Sequence, residues 1–124
     1  DLLEILHSTF YILNSQIKGV MHGFVENNEQ LKEYLKIGFY IGFNGIIFKK
    51  IEGINFEENI KNTPLDKLLI ETDCPYLLPP EFYNQRNEPS YVKYVAEKIA
   101  KIKNLTFNEV AEITTQNAKK LFRF

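Results

Sequence analysis

The stretch Leu68-Leu69-Ile70-Glu71-Thr72-Asp73 decides the fold. Three apolar residues in succession, with no polar alternation, form the pattern of a short strand buried on both faces of a parallel sheet. The run stops at Glu71-Thr72-Asp73, and a Pro-rich loop follows from Pro75 to Pro89. Working outward, the chain before this strand alternates between two periodicities. Ile17 to His22 has the pattern of a short apolar strand, and Phe39 to Phe43 is a second segment rich in β-formers, broken by Asn44-Gly45. Between them, Asn27 or Asn28 can cap a helix, with Asn27 and Gln30 spaced for a capping box; Leu31, Tyr34 and Leu35 form its apolar face, and Gly38 is placed to end it. A short helix is expected over residues 55–62, stopped by Pro64.

After the Pro-rich loop come two closing helices. The first carries Val92, Val95, Ala96 and Ile99 on one face. The second opens with the capping box Thr106 and Glu109 and places Val110, Ile113, Ala118 and Leu121 inside. Leu2, Leu3, Leu6 and Phe10 give a further helix at the start. The order is a helix, then strand–helix units, then an extra helix, which favours an α/β fold with a parallel sheet. Three or four strands are too few to close a barrel of eight. The chain is expected to be part of something larger, its first residues lying inside an amphipathic helix rather than in a polar linker.

Composition narrows the function less than the pattern narrows the fold. The 124 residues are 44% hydrophobic, with 10 Phe and 7 Tyr, enough for one compact unit. Fifteen basic and sixteen acidic residues give a net charge of −1, so the basic footprint of many nucleic-acid-binding proteins is missing. Phosphate can still be gripped through metal ions rather than lysines. Cys74 is the sole cysteine, which excludes an intrachain disulfide and a Cys-based zinc site. No apolar run reaches the roughly 18–20 residues that span a bilayer. No membrane association is expected, and the expected compartment is the cytoplasm.

Two ionisable residues stand where parallel-sheet enzymes gather their chemistry, at the carboxyl ends of strands. His22 follows the first strand and Asp73 the third. Imidazole and carboxylate are usual ligands for Zn, Mn or Fe, and carboxylate also suits Mg. Each has a plainer reading: a hydrogen-bonded histidine, and a turn-forming or capping aspartate. Glu71 is either a surface residue or a hydrogen-bond partner of a ligand.

The wording around these residues is more specific. Leu68 to Pro79 closely resembles the "LLIETDAPYLLP" signature of the TatD-like deoxyribonucleases. Gly19-Val20-Met21-His22-Gly23-Phe24 resembles their "GVMHCF", and Tyr40-Ile41-Gly42 through Gly45 their "YIGxxG". Arg86-Asn87-Glu88-Pro89 matches "RNEP", and Asn117-Ala118 to Leu121-Phe122 matches the closing "NxxxLF". These blocks keep the family's order and span nearly the whole chain. The resemblance implies that residues 1–124 are the C-terminal portion of a single TIM-type (β/α)8 barrel domain, with the N-terminal half missing. It also implies DNA phosphodiester hydrolysis with divalent ions, two per complete site, of Mg, Mn or Zn. Carried over residue by residue, His22 and Asp73 become metal ligands, with Asp73 also the group that holds water or accepts a proton; Glu71, not carried over, is expected beside them as a hydrogen-bond partner. Arg86 suits a phosphate contact, with an ion pair to Glu88 or Glu71 as its rival. Tyr76 either stacks on a base or, as the preferred reading, packs under the loop. Asn117 is expected to bond buried backbone, Cys74 to be a small core residue, and His7 to lie on a helix surface, outside the site.

The chain also departs from the family. The His-x-His pair, the bridging glutamate and a further histidine of the family are absent, and the chain has two histidines in all. With His22 and Asp73 alone, a metal has two protein ligands where catalytic sites usually have three, so this segment alone is expected to be inactive. Gly23 stands where a cysteine is common, a change expected to be harmless. Phe24-Val25-Glu26 lacks the glycine of "HCFSG", so the loop there is expected to differ. Half a barrel exposes sheet edges, and the expected partners are DNA and either the missing half or a second copy. Two alternatives stand beside the nuclease: a metallohydrolase acting on another substrate, and a non-catalytic relative serving as an interaction module.

Overall fold

The computed structural model describes residues 2–13 and 18–124. Five α-helices and three strands alternate among them: α1 (Leu2–Leu13), β1 (Val20–Met21), α2 (Asn28–Lys36), β2 (Tyr40–Phe43), α3 (Phe56–Asn62), β3 (Leu68–Ile70), α4 (Val92–Lys103) and α5 (Phe107–Phe122). Ile17, expected to begin the first strand, and the side chain of Phe10 lie outside the described residues. The sheet is wholly parallel in the order β1-β2-β3, with Val20 opposite Tyr40 and Gly42 opposite Leu69. Sequential order without reversal means that the strands wind in one direction, as consecutive strands of a barrel do.

Local chemistry explains where the elements start and stop. The Asn27 side chain accepts from the Glu29 and Gln30 N–H groups at 3.0 Å, and Gln30 reaches back to the Asn27 N–H, closing the capping box of α2. Gly38, at φ +88°, lets the chain turn out of that helix where an L side chain is strained. Thr106 and Glu109 close the second box at the start of α5. Every residue of β2 is buried, because it is the central strand and is covered on both faces.

The core joins Phe24, Leu31, Tyr34, Ile41, Phe43 and Ile60 to Leu68, Ile99 and Val110. Tyr34 stacks on Phe39 and meets the edge of Phe24, filling the layer between α2 and the sheet. Asn117 behaves as expected: its amide donates to the Leu65 and Leu68 carbonyls at 2.7 and 2.8 Å, tying α5 to the start of β3. The inner face of α5 differs from expectation. Val110 is buried, but Ile113, Ala118 and Leu121 are only half-buried, because α5 packs against α4 and β3 on one side alone. Among the described residues, no helix is long and apolar enough to cross a membrane.

Candidate metal centre

The parallel sheet delivers its polar residues to one end. His22 follows directly on β1, Asn44 on β2, and Glu71 and Asp73 on β3. The His22 ring lies between the two carboxylates: Nδ1 is 2.8 Å from Glu71 Oε2, and Nε2 is 3.1 Å from Asp73 Oδ1. The imidazole is 66% exposed, whereas Glu71 and Asp73 are 16% and 25% exposed. One donor atom from each of the three falls within 4.8 Å of the others.

Two glycines make this arrangement possible. Glu71 must cross the central strand to reach β1, and it passes over Gly42. A β-carbon at that position would sit 1.7 Å from Glu71 Oε1. Beyond it, Glu71 Oε2 accepts the Gly23 N–H at 2.9 Å. Burial raises the Glu71 carboxyl above its ordinary range, opposed by that N–H and by His22. Gly23 has φ +57°, and a β-carbon there would lie 2.8 Å from Asn44 Nδ2. A side chain at this position would therefore displace the Asn44 amide or strain the backbone.

The donor set fits a divalent cation. A neutral imidazole has one N–H, so of its two carboxylate contacts one sets a ring lone pair against an oxygen lone pair. A cation near Nε2 and Asp73 Oδ1 would relieve that opposition, leaving Nδ1–H to donate to Glu71. Carboxylate-oriented histidine is the usual support for a ligating imidazole. Nitrogen and oxygen donors together suit Zn or Mn, and the oxygens also suit Mg.

The loop after β3 bends sharply beside the cluster. Asp73 adopts φ +53°, its carbonyl accepts the Tyr76 N–H at 2.8 Å, and the Cys74–Pro75 peptide is cis. Cys74 sits on the corner of this turn and is exposed, correcting its assignment to the core. Tyr76 is 74% exposed, so it does not pack under the loop. Among the described residues Arg86 forms no ion pair, and the expected partners Glu88 and Glu71 bond Ser90 and His22 instead. Arg86 lines a hollow of about 330 Å³ with Cys74, Pro75 and Asn87. Asn87 is buried and donates to the Thr72 carbonyl at 2.8 Å and to that of Tyr76, which fixes the Arg86 loop against the strand end. His7 lies on α1, exposed, 3.6 Å from Glu33 and outside the cluster.

Asn44 is the residue that sequence reasoning missed, having read it only as a strand breaker. The signal was its place: a polar side chain directly after the central strand, between the strands that carry His22 and Asp73.

The profile of TatD related DNase matches residues 1–123. The chain belongs to this family. A metal-dependent hydrolase of Bacillus subtilis, YabD, is 52% identical over 108 residues, covering 86% of this chain and 42% of the relative. The 3'-5' ssDNA/RNA exonuclease TatD of Citrobacter rodentium is 37% identical over 107 residues, covering 83% of this chain and 41% of that enzyme. Among solved structures, the TatD homologue YjjV of Escherichia coli superposes with a TM-score of 0.76 at 28% identity, covering 86% of this chain and 40% of that one. A TatD-family hydrolase of Entamoeba histolytica gives 0.77 at 26% identity, covering 95% and 46%. These solved relatives are TatD-family metallo-dependent hydrolases, and the α/β arrangement of this chain superposes on 40–46% of each. The chain spans about 40% of the length of the curated relatives it matches.

Proposed function

We propose that the protein carrying this chain hydrolyses phosphodiester bonds of DNA from an end, and that His22 and Asp73 contribute to its divalent-metal centre. One observation carries the reading: an imidazole and two carboxylates converge within 4.8 Å at the C-terminal ends of neighbouring parallel strands. Bound there, a divalent cation supplies positive charge against phosphoryl oxygens and acidifies water. The side chains do the rest. Glu71 orients the His22 ring through Nδ1. Asp73, a partly exposed carboxylate, takes the proton of the attacking water. Arg86, without an ion-pair partner among the described residues, meets a phosphate, and the exposed Tyr76 ring offers a face for a base.

A complete site takes two ions and ligands from outside this segment, which alone is inactive. The open side supports the same reading. Leu69, Ile70, Ala96, Phe107 and Ala118 line an apolar groove of about 340 Å³ beside the edge strand β3. Further strands and helices of a longer polypeptide cover it and complete the barrel. A cytoplasmic location accords with this chemistry.

The test is cleavage of end-labelled single-stranded DNA by the full-length protein with Mg or Mn, beside Asp73→Asn. Loss of cleavage by about 100-fold or more in the variant is the expected result. Unchanged cleavage in Asp73→Asn removes Asp73 from the chemistry. Activity confined to esters or amides outside nucleic acid favours the broader metal-dependent hydrolase reading. For the open face, size-exclusion chromatography of residues 1–124 alone is expected to show association, and a well-folded monomer at micromolar concentration overturns the covering.

A further inference from the structure

We propose that Asn44 is a positioning residue of the metal centre, whose amide turns the Asp73 carboxylate so that Oδ1 faces His22. This rests on the reading that His22 and Asp73 hold a divalent cation. Asn44 is 1% exposed and stands at the end of the central strand, between the strand ends that carry the two ligands. Both ends of its side chain are used. Oδ1 accepts the Ile46 N–H at 2.9 Å, capping the 3-10 turn Gly45–Phe48, and Nδ2 donates to Asp73 Oδ2 at 2.9 Å.

The first bond settles the second. A backbone N–H can meet only the amide oxygen, so the cap fixes which way the amide points and aims the NH2 group at Asp73. The terminal torsion of an aspartate is broad, and a free carboxylate would swing. Here one oxygen is held by a neutral donor that carries no charge to compete with a cation. The other oxygen is left 3.1 Å from His22 Nε2, with lone pairs to spare. The Asp73 backbone is held as well, at φ +53° in a turn closed by the Tyr76 N–H. Gly23 belongs to the same device, since a β-carbon there would press on the Asn44 amide.

Capping alone is the rival explanation, and Asn55 supplies its comparison. Asn55 caps α3 by accepting the Glu58 N–H at 3.1 Å, away from the cluster. Asn44→Ser and Asn44→Thr keep a cap acceptor but are too short to reach Asp73, and threonine suits the extended backbone at this position. Mn2+ affinity of the full-length protein, read from the electron paramagnetic resonance signal of free Mn2+, is expected to fall about 10–100-fold in either variant. Asn55→Ser is expected to leave it unchanged. In an Asp73→Asn background, Asn44→Ser is expected to have no further effect, because the group it positions is gone.

Parent-like Mn2+ affinity in a folded Asn44→Ser or Asn44→Thr protein overturns the proposal, and so does a full additional loss in the Asp73→Asn background. Loss of native circular dichroism in both variants assigns Asn44 to the fold alone and also overturns it. If His22→Ala and Asp73→Asn themselves leave Mn2+ affinity intact, the metal reading fails instead, whatever Asn44 does.

Discussion

Replacing Gly42 by alanine tests whether Glu71 is held across the central strand for the sake of His22. The added β-carbon would lie 1.7 Å from Glu71 Oε1, 2.5 Å from Cδ and 3.1 Å from Oε2. A free side-chain end would move aside at little cost. This one is tied at its far oxygen to the Gly23 N–H and to His22 Nδ1. Displacing it breaks hydrogen bonds to a charged group, worth about 1.5–3 kcal/mol each before hydration is regained. Retaining it forces overpacking, which costs about 1–3 kcal/mol. Either route gives a destabilisation of about 2–3 kcal/mol, readable as a fall in the urea midpoint of the full-length protein at constant slope. Mn2+ affinity falls as well, because His22 loses its orienting carboxylate. The sign provides the decisive control. In a Glu71→Ala background the clash is gone, and Gly42→Ala becomes neutral or stabilising by about 0.4–1 kcal/mol, as alanine restricts the unfolded chain. A destabilisation of the same size in both backgrounds would refute the reasoning.

Gly23→Cys, introducing the residue common in the family, is expected to cost about 1–2 kcal/mol through its left-handed φ of +57°. It should weaken Mn2+ binding by pressing on Asn44, and a parent-like melting curve would count against both effects. Thr106→Ala removes the cap of α5 and should destabilise by about 1 kcal/mol in urea unfolding. The Glu109 carboxyl is held below its ordinary 4.5 by the Thr106 N–H and hydroxyl. Its contribution is therefore present above that value and lost as pH falls through the lower folded one, and Glu109→Gln should flatten this part of the stability–pH curve. Tyr76→Ala should leave the melting temperature unchanged, the ring being 74% exposed, while raising KM for single-stranded DNA several-fold. A drop in melting temperature with unchanged KM would make Tyr76 structural.

What was legible in the sequence was local or repeated. The boxes Asn27–Gln30 and Thr106–Glu109 are closed within one helical turn, so three-residue spacing reveals them. Strand β3 is legible because burial in a parallel sheet demands an unbroken apolar run. Placement of His22 and Asp73 at strand ends follows from element order alone. Asn44 is different, since its role exists only once β2 lies between β1 and β3. The obstacle to a β-carbon at Gly23 is hidden from the sequence for the same reason, since it comes from position 44. Cys74 was misplaced because the turn beginning at Asp73 puts the next residue on its outer corner, which apolar patterning does not register. The uncovered face of α5 reflects packing on one side only, whereas periodicity marks a face without saying how much of it is covered.

If the protein acts as proposed, the charge of the cluster bears on the order in which metal and nucleic acid bind. Two carboxylates face one imidazole, so the site is negative whether the ring is neutral or protonated, and the chain as a whole carries −1. Arg86 is the one cation lining the adjoining hollow among the described residues. A phosphodiester about 4 Å from a carboxylate meets repulsion of about 4 kcal/mol at an effective dielectric of about 20, equivalent to about a thousandfold in affinity. One guanidinium on the loop cannot cancel two such terms. Nucleic-acid binding should therefore follow divalent-ion binding and be lost with it. Fluorescence anisotropy with a phosphorothioate-linked single-stranded oligonucleotide, chosen to slow cleavage, should give tight binding by the full-length protein in Mn2+. Binding should weaken by about two to three orders of magnitude in excess chelator. Equal affinity in the two conditions would show that the substrate is held by groups remote from the cluster, and that its negative charge does not govern access.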